Sequence, residues 1–203
     1  NNSYNLTLSG SGDYYGYGNG NDNSIIGNSG ANTLKGNNGN DVLSGKNGND
    51  KLQGGKGKDT LEGGSGDDLL IGGSNQGNQY QTDAYHFSDN SGNDVIVGFY
   101  PRDKYYQVNT GTVGWEDSPS QNYRDRIFVE RDVNGSNIDS AQDILSTMTT
   151  TDDGWVVLHF GSGNTVILDG VLPSELTNRH IHVVPKISNV IIDGTSPVWD
   201  SSV

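Results

Sequence analysis

The chain has 203 residues, of which only 31% are apolar and 30 are glycine, so burial of side chains supplies a thin core and a second source of stability is needed. A formal charge of −13, from 25 acidic against 12 basic side chains, excludes nucleic acid and anionic membrane as partners, because phosphate recognition needs a basic patch, and makes cations the natural counterpart. There is no cysteine for disulfides or thiolate ligands, and no apolar run approaches the roughly 18 residues of a membrane span.

The opening stretch YNLTLSGSGDYYGYG (4–18) reads as a degenerate first coil. Residues 1–17 are expected to form an N-terminal cap in which Tyr14, Tyr15 and Tyr17 cover the end of a solenoid; the alternative use of three clustered rings is stacking on a carbohydrate. From residue 18 a nine-residue frame runs without a gap through GNGNDNSII, GNSGANTLK, GNNGNDVLS, GKNGNDKLQ, GGKGKDTLE and GGSGDDLLI, ending at residue 71. The eighth position is always a branched aliphatic (Ile25, Leu34, Leu43, Leu52, Leu61, Leu70) with polar residues often beside it, which predicts a three-residue strand with one inward side chain. A disordered linker has no reason to keep such a period.

The first six positions form the turn, where glycine takes positive φ and leaves backbone carbonyls uncovered. The sixth position carries Asn23, Asn32, Asp41, Asp50, Asp59 and Asp68 in turn. If two units make one circuit of a flattened solenoid, turns 18 residues apart stack on the same edge, placing Asn23 over Asp41 over Asp59 and Asn32 over Asp50 over Asp68. Carboxylates stacked in this way repel unless a cation lies between them. A flexible cage of carboxylate and carbonyl oxygens suits Ca²⁺ better than Mg²⁺, which holds a tight octahedron and keeps its waters.

The units at 36–71 resemble the calcium-binding nonapeptides of the repeats-in-toxin (RTX) family, whose GGxGxDxUx pattern is met nearly in full by GGKGKDTLE and GGSGDDLLI. The resemblance implies an all-β fold, a parallel β-roll over residues 18–99, with Ca²⁺ held between successive turns on each edge. It implies ligands from Gly36, Asn38, Gly39 and Asp41; from Gly45, Asn47, Gly48 and Asp50; from Gly54, Gly55, Lys56, Gly57 and Asp59; and from Gly63, Gly64, Ser65, Gly66 and Asp68. Asn23 and Asn32 keep an oxygen but lose the charge, so their edges are expected to bind weakly or stay empty. Lys46, standing where the pattern has its second glycine, is expected to distort its turn.

After Ile71 the frame slips. Residues 75–80 read as a bulging loop, after which Asp83 closes the edge above Asp59, and Asp94, at the start of DVIVGFYPRDKYY, matches an aspartate that begins a strand leading out of the roll in this family. Residues 1–82 hold 8 acidic and 5 basic side chains and residues 83–203 hold 17 and 7, so the net charge divides as −3 and −10. Residues 100–203 are expected to form a small, mostly β C-terminal domain with one short helix, Ser140–Met148, opened by a capping box, and a hairpin of Trp155–Phe160 with Thr165–Asp169. GWVVLHFGSGNTVILDGVLPSEL again resembles the tail of RTX modules; residues 107–139 and 178–203 match nothing.

No HExxH, GxSxG or P-loop occurs, and neither His180 with His182, nor the adjacent acids Asp152–Asp153 and Glu116–Asp117, makes a complete metal or catalytic set. The expectation is a non-catalytic, calcium-dependent folding module of a larger secreted, extracellular bacterial protein, passed by the type I secretion apparatus as the resemblance implies. The alternative is a calcium-rigidified module for a polysaccharide, with Lys46, Lys51, Lys56 and Lys58 facing an acidic glycan. About four sites with dissociation constants on the order of 10⁻⁴ M give roughly 1.4 kcal/mol each in millimolar calcium, near 6 kcal/mol together. That rivals the stability of a small domain, about 5 kcal/mol.

Overall fold

Each nine-residue unit returns the chain to the opposite side of a flattened solenoid, so every strand pairs in parallel with the strand two units away. The structure, a computed structural model, describes residues 4–73, 82–101, 125–131 and 133–185. Its first sheet contains β1 (Tyr4–Thr7), β3 (Asn23–Ile26), β5 (Val42–Asn47), β7 (Thr60–Ser65), β9 (Ala84–Phe87), β11 (Arg126–Glu130) and β15 (Ile181–Val184), in that spatial order. The second contains β2 (Tyr15–Tyr17), β4 (Thr33–Asn38), β6 (Lys51–Lys56), β8 (Leu69–Gly73), β10 (Asn93–Val97) and β14 (Thr165–Asp169), then β13 (Val156–His159) and β12 (Thr149–Thr150), which add antiparallel.

The eighth-position side chains Ile25, Leu34, Leu43, Leu52, Leu61 and Leu70 are all 0% exposed and meet between the sheets. Each contributes about 1.5–3 kcal/mol of burial. Register carries the same column onward: Leu61 pairs with Tyr85, which pairs with Ile127 and then Ile181, while Leu70 pairs with Ile96 and then Leu168. Residues on the two sides of position 100 therefore share both sheets.

The strands are longer than the three residues the pattern predicts, because the ladder continues into the glycines: Asn37 pairs with Gly55 and Lys46 with Gly64. Close approach is possible only without a Cβ. One added at Gly57 would collide with the Gly39 carbonyl, and one at Gly64 with that of Lys46. Positive φ recurs at the second and fourth positions, at Asn37 (φ 81) and Gly39 (φ 111), and at Gly55 (φ 118) and Gly57 (φ 139). Lys46 does not distort its turn, as the sequence suggests, but adopts the left-handed conformation itself (φ 82) while pairing with Gly64 of the next coil.

The same φ signature appears at Asn90 (φ 61) and Gly92 (φ 90), which identifies DNSGNDVIV (89–97) as one more unit, with Asp94 sixth and the buried Ile96 eighth. Asp89 in the place of the opening glycine hides it from the sequence pattern. The loop expected at 75–80 lies outside the described residues.

The tyrosines do not cap the core. In the strand Tyr15-Gly16-Tyr17 the two-residue alternation turns Gly16 inward and both rings outward, leaving Tyr14, Tyr15 and Tyr17 47%, 69% and 53% exposed; Leu6 and Leu8 reach the core instead. The expected helix is present as α1 (Ala141–Ser146), with Ser140 and Asp143 forming a capping box, Ile144 buried and Leu145 and Met148 partly buried against the core. Among the described residues no helix is long and apolar enough to cross a membrane.

Relief of the left-handed lysine predicts that Lys46→Gly raises stability in calcium by about 1 kcal/mol, seen as a higher denaturant midpoint. An unchanged or lowered midpoint contradicts this.

Candidate metal centre

The sixth-position side chains stack as two ladders, one on each edge of the roll. On the first edge Asn23 N–H donates to Asp41 Oδ1 (2.8 Å), Asp41 N–H to Asp59 Oδ1 (2.8 Å), Asp59 N–H to Asp83 Oδ1 (3.0 Å) and Asp83 N–H to Asp125 Oδ1 (2.8 Å). On the second, Asn32 N–H donates to Asp50 Oδ1 (2.6 Å), Asp50 N–H to Asp68 Oδ1 (2.7 Å) and Asp68 N–H to Asp94 Oδ1 (2.9 Å). The stacking expected for Asn23, Asn32, Asp41, Asp50, Asp59, Asp68 and Asp83 is thus observed, and Asp94 joins the second edge. Asp125 is a member that sequence reasoning missed.

One oxygen of each aspartate is satisfied in this way, and the other is the informative one. Asp41 Oδ2, Asp50 Oδ2, Asp59 Oδ2 and Asp68 Oδ2 are buried and find no hydrogen-bond partner among the described residues. An ionised oxygen left so is costly unless a cation meets it. Each points over the first glycine of its own coil: a Cβ at Gly36, Gly45, Gly54 or Gly63 would strike the Oδ2 of Asp41, Asp50, Asp59 or Asp68. The Gly54 carbonyl faces Gly36, and the Gly63 carbonyl faces Gly45, from the next coil. Carboxylate and carbonyl oxygens therefore converge on spaces that only glycine leaves open.

Among the described residues no three His, Cys, Asp or Glu side chains gather at one point, so a Ca²⁺ cage of about six to eight oxygens on these edges needs backbone carbonyls as well as carboxylates. Gly39, Gly48, Gly57 and Gly66 adopt positive φ, the side chains of Asn38, Asn47 and Lys56 are exposed and that of Ser65 is half-buried, and the Lys56 and Ser65 carbonyls accept from Gly39 N–H (2.9 Å) and Gly48 N–H (2.8 Å) of the neighbouring coils. Gly55 and Gly64 present no side chain to the neighbouring coil.

The ladders close differently at their ends. Asn23 Nδ2 donates to Asp41 Oδ1 (2.8 Å) and to the Asn21 carbonyl, and Asn32 Nδ2 donates to Asn28 Oδ1 (3.0 Å) and the Gly12 carbonyl (3.3 Å). Over Gly18 the Asn23 amide nitrogen takes the place of the unpartnered carboxylate oxygen, and over Gly27 that place is held by Asn32 Oδ1, which already accepts from Asn28 N–H (2.8 Å). At the far end, Asp125 Oδ2 accepts from Tyr100 N–H (2.8 Å). A parallel ladder at the fifth position needs no metal: Asn40 N–H donates to Asp22 Oδ1 (2.7 Å), Lys58 N–H to Asn40 Oδ1 (2.8 Å) and Asp67 N–H to Asn49 Oδ1 (3.1 Å).

Burial dominates the carboxylate energetics. Desolvation pushes Asp50 up to about 6, Asp68 to about 7, and Asp59 and Asp94 to about 8, with the Asp83 charge adding to the rise at Asp59; Asp41 is raised for the same reason. Asp83 and Asp125 are likewise raised by burial.

The other candidates do not assemble. His180 is occupied at both ring nitrogens, Nδ1 accepting from Thr177 N–H (2.9 Å) and Nε2 bonded to the Pro101 carbonyl (2.7 Å), while His182 stacks on Phe128 with ring centroids 5.1 Å apart. Asp152 and Asp153 are exposed, and Glu116 and Asp117 lie outside the described residues. Lys51 and Lys56 share β6, but Lys46 belongs to a coil of the other sheet and Lys58 to the following turn, so the four lysines do not form one face.

Residues 17–52 and 44–76 match the family described as RTX calcium-binding nonapeptide repeat (4 copies), and this part of the chain consists of such calcium-binding repeats. Among curated proteins nothing matches the chain. Solved structures similar to it include the AlgE6R2 subunit of the Azotobacter vinelandii mannuronan C5-epimerase, at 22% identity and a TM-score of 0.49, covering 80% of this chain and 94% of that one. The extracellular lipase LipA of Serratia marcescens is 15% identical with a TM-score of 0.39, covering 87% of this chain and 40% of that one. The AlgE6R3 subunit of the same epimerase is 22% identical with a TM-score of 0.30, covering 90% and 85%.

Carboxylates raised above the unfolded value, about 3.9, make the calcium-free fold bind protons that the unfolded chain does not. Its stability is therefore fully present below about pH 4 and lost as pH rises through the window from about 6 to about 8 set by Asp50, Asp68, Asp59 and Asp94. Calcium needs the ionised form, so its affinity runs the other way. Circular dichroism is expected to show β-structure gained on acidification in chelator, and a calcium midpoint that rises on acidification; no pH dependence of either contradicts this. Among single substitutions, Asp59→Ala is expected to raise the calcium midpoint on the order of tenfold, and Asn32→Ala far less, because Asp59 carries an unpartnered oxygen and Asn32 an amide already bonded. Equal midpoints sink this ordering.

Proposed function

We propose that this chain is a non-catalytic module of a larger secreted protein that remains unfolded at cytosolic calcium, passes the type I secretion apparatus as an extended chain, and folds outside the cell on binding several Ca²⁺ ions. The observation that carries this reading is the set of four buried, unpartnered oxygens on Asp41, Asp50, Asp59 and Asp68, each beside a glycine that leaves room for an ion. Calcium-binding nonapeptides over 17–76 support the choice of metal. At submicromolar calcium the stacked carboxylates repel or must be protonated, and at millimolar calcium each site adds roughly 1.4 kcal/mol if its dissociation constant is about 10⁻⁴ M. On this reading Asn23 and Asn32 begin the roll without metal, and β11 to β15 complete both sheets.

Circular dichroism with titration calorimetry, from chelator to about 10 mM calcium, tests the reading. A cooperative gain of β-structure with several bound ions, not reproduced by magnesium, is the expected result. A chain already folded in chelator and silent to calcium contradicts it.

One observation favours a second reading. Tyr15 and Tyr17 expose nearly parallel rings, 3° apart in plane, on the outer face of the second sheet, where Tyr17 adjoins Lys35 and Thr33 adjoins Lys51. Aromatic rings beside ammonium groups suit an acidic polysaccharide. Retention on such a polymer, lost in Lys35→Ala with Lys51→Ala while calcium binding persists, supports this use; retention unchanged by those substitutions rules it out.

A further inference from the structure

Of the buried polar atoms that the repeat aspartates do not account for, the Tyr85 hydroxyl stands against one of the opening glycines of the roll. Tyr85 is fully buried in the eighth-position column, where the neighbouring coil has Leu61, yet its hydroxyl finds no hydrogen-bond partner among the described residues. Gly72 N–H is directed toward the phenol oxygen but falls outside bonding geometry. The charged groups around that oxygen are Asp125, Asp83 and Asp59.

Its position reproduces a feature of the repeats. A Cβ at Gly36 would meet two oxygens, Asp41 Oδ2 from the same coil and the Gly54 carbonyl from the next. At Gly45 the pair is Asp50 Oδ2 and the Gly63 carbonyl; at Gly27 it is Asn32 Oδ1 and the Gly45 carbonyl. Gly72 opens the next coil on the edge of Gly36 and Gly54, and the pair it meets is Asp83 Oδ2 and the Tyr85 hydroxyl. The phenol oxygen thus stands in the place that a neighbouring coil's glycine carbonyl takes elsewhere. Beyond it, Phe99 precedes Tyr100, whose N–H fills Asp125 Oδ2, and the Phe99 ring lies against that of Tyr85 with centroids 5.9 Å apart.

The geometry points to a terminal cation site, outside the uninterrupted repeats, in which Asp83 Oδ2 and the neutral Tyr85 hydroxyl oxygen flank a Ca²⁺ ion over Gly72. The inference rests on the proposed calcium binding, which supplies the ion; the donors are all oxygen, and a phenol held by the core gives the site a fixed ligand where the glycine turn ends. Asp125 is the stop of the column, because its second oxygen already accepts a hydrogen bond from a backbone N–H. The ion ties β9 to Gly72 across the insertion at 74–81, so that the first sheet continues from the repeats into β11.

The test counts calcium ions per chain by titration calorimetry on the full chain, wild type against Tyr85→Phe and Tyr85→Leu. Phenylalanine keeps the ring against Phe99 and removes only the oxygen; leucine restores the residue of the neighbouring coils, so a folding defect in one leaves the other as the readout, with circular dichroism in calcium showing which is folded. A folded variant that binds one ion fewer, with the remaining affinities within about twofold of wild type, is the expected result. A folded variant that retains the wild-type count and affinities overturns the site while leaving the calcium reading intact. A wild-type chain that binds no calcium overturns that reading itself.

Discussion

The roll is governed by a single electrostatic constraint, the stacking of buried aspartates at the spacing of adjacent parallel strands. Neighbouring coils lie about 4.8 Å apart, and at an effective dielectric constant of 20 two unit charges at that distance repel by on the order of 3 kcal/mol. Asp41 with Asp59, and Asp50 with Asp68, face this cost at every step, and each has spent one oxygen on a backbone N–H while the other finds no partner. The aliphatic column between the sheets offers one buried residue per nine, too little to outweigh a charged ladder along both edges. Protons or cations decide whether the fold is worth forming, and this gives a chain of low hydrophobicity a defined structure under one ionic condition and not another.

The same constraint explains how the ladders end. An amide carries its own N–H donors, so Asn23 and Asn32 meet oxygens that a carboxylate would repel, and the first coils close without a charge to neutralise. At the other end Asp125 takes two backbone N–H groups, one for each oxygen. On the first edge the unpartnered oxygens of Asp41 and Asp59 lie between Asn23 and Asp125, and on the second those of Asp50 and Asp68 lie between Asn32 and Asp94. The fifth-position ladder, Asp22 to Asn40 to Lys58, fastens the outer rim of the turns with ordinary hydrogen bonds and leaves the inner rim to the ions.

Much of this was legible because period and physics coincide. A constant nine-residue interval fixes both the inward Leu52 and Leu61 and the stacking of Asp41 over Asp59, and these arrive together in the structure. What the sequence hid lies where the interval breaks. Asp83 and Asp125 are adjacent in the ladder but 42 residues apart in the chain, so no periodic search connects them; the coil's return in space is preserved while its length is not. The unit at 89–97 lost its opening glycine, and only the φ values of Asn90 and Gly92 restore the match. The strands outrun the three-residue pattern because glycine, a poor strand former in isolation, here lets two backbones approach and continue the ladder. The outward rings of Tyr15 and Tyr17 result from a two-residue alternation centred on Gly16, which a cluster of three tyrosines obscures.

Amide hydrogen exchange at Asp41, Asp50, Asp59 and Asp68, measured by NMR in chelator and in calcium, bears most directly on the central claim, because these four N–H groups donate to the carboxylates of the next coil. If the ladders require cations, all four exchange rapidly in chelator and become protected together as calcium is added. Protection already present in chelator at neutral pH, unchanged by calcium, would mean that the stacked carboxylates hold without an ion and that the account of the fold is wrong.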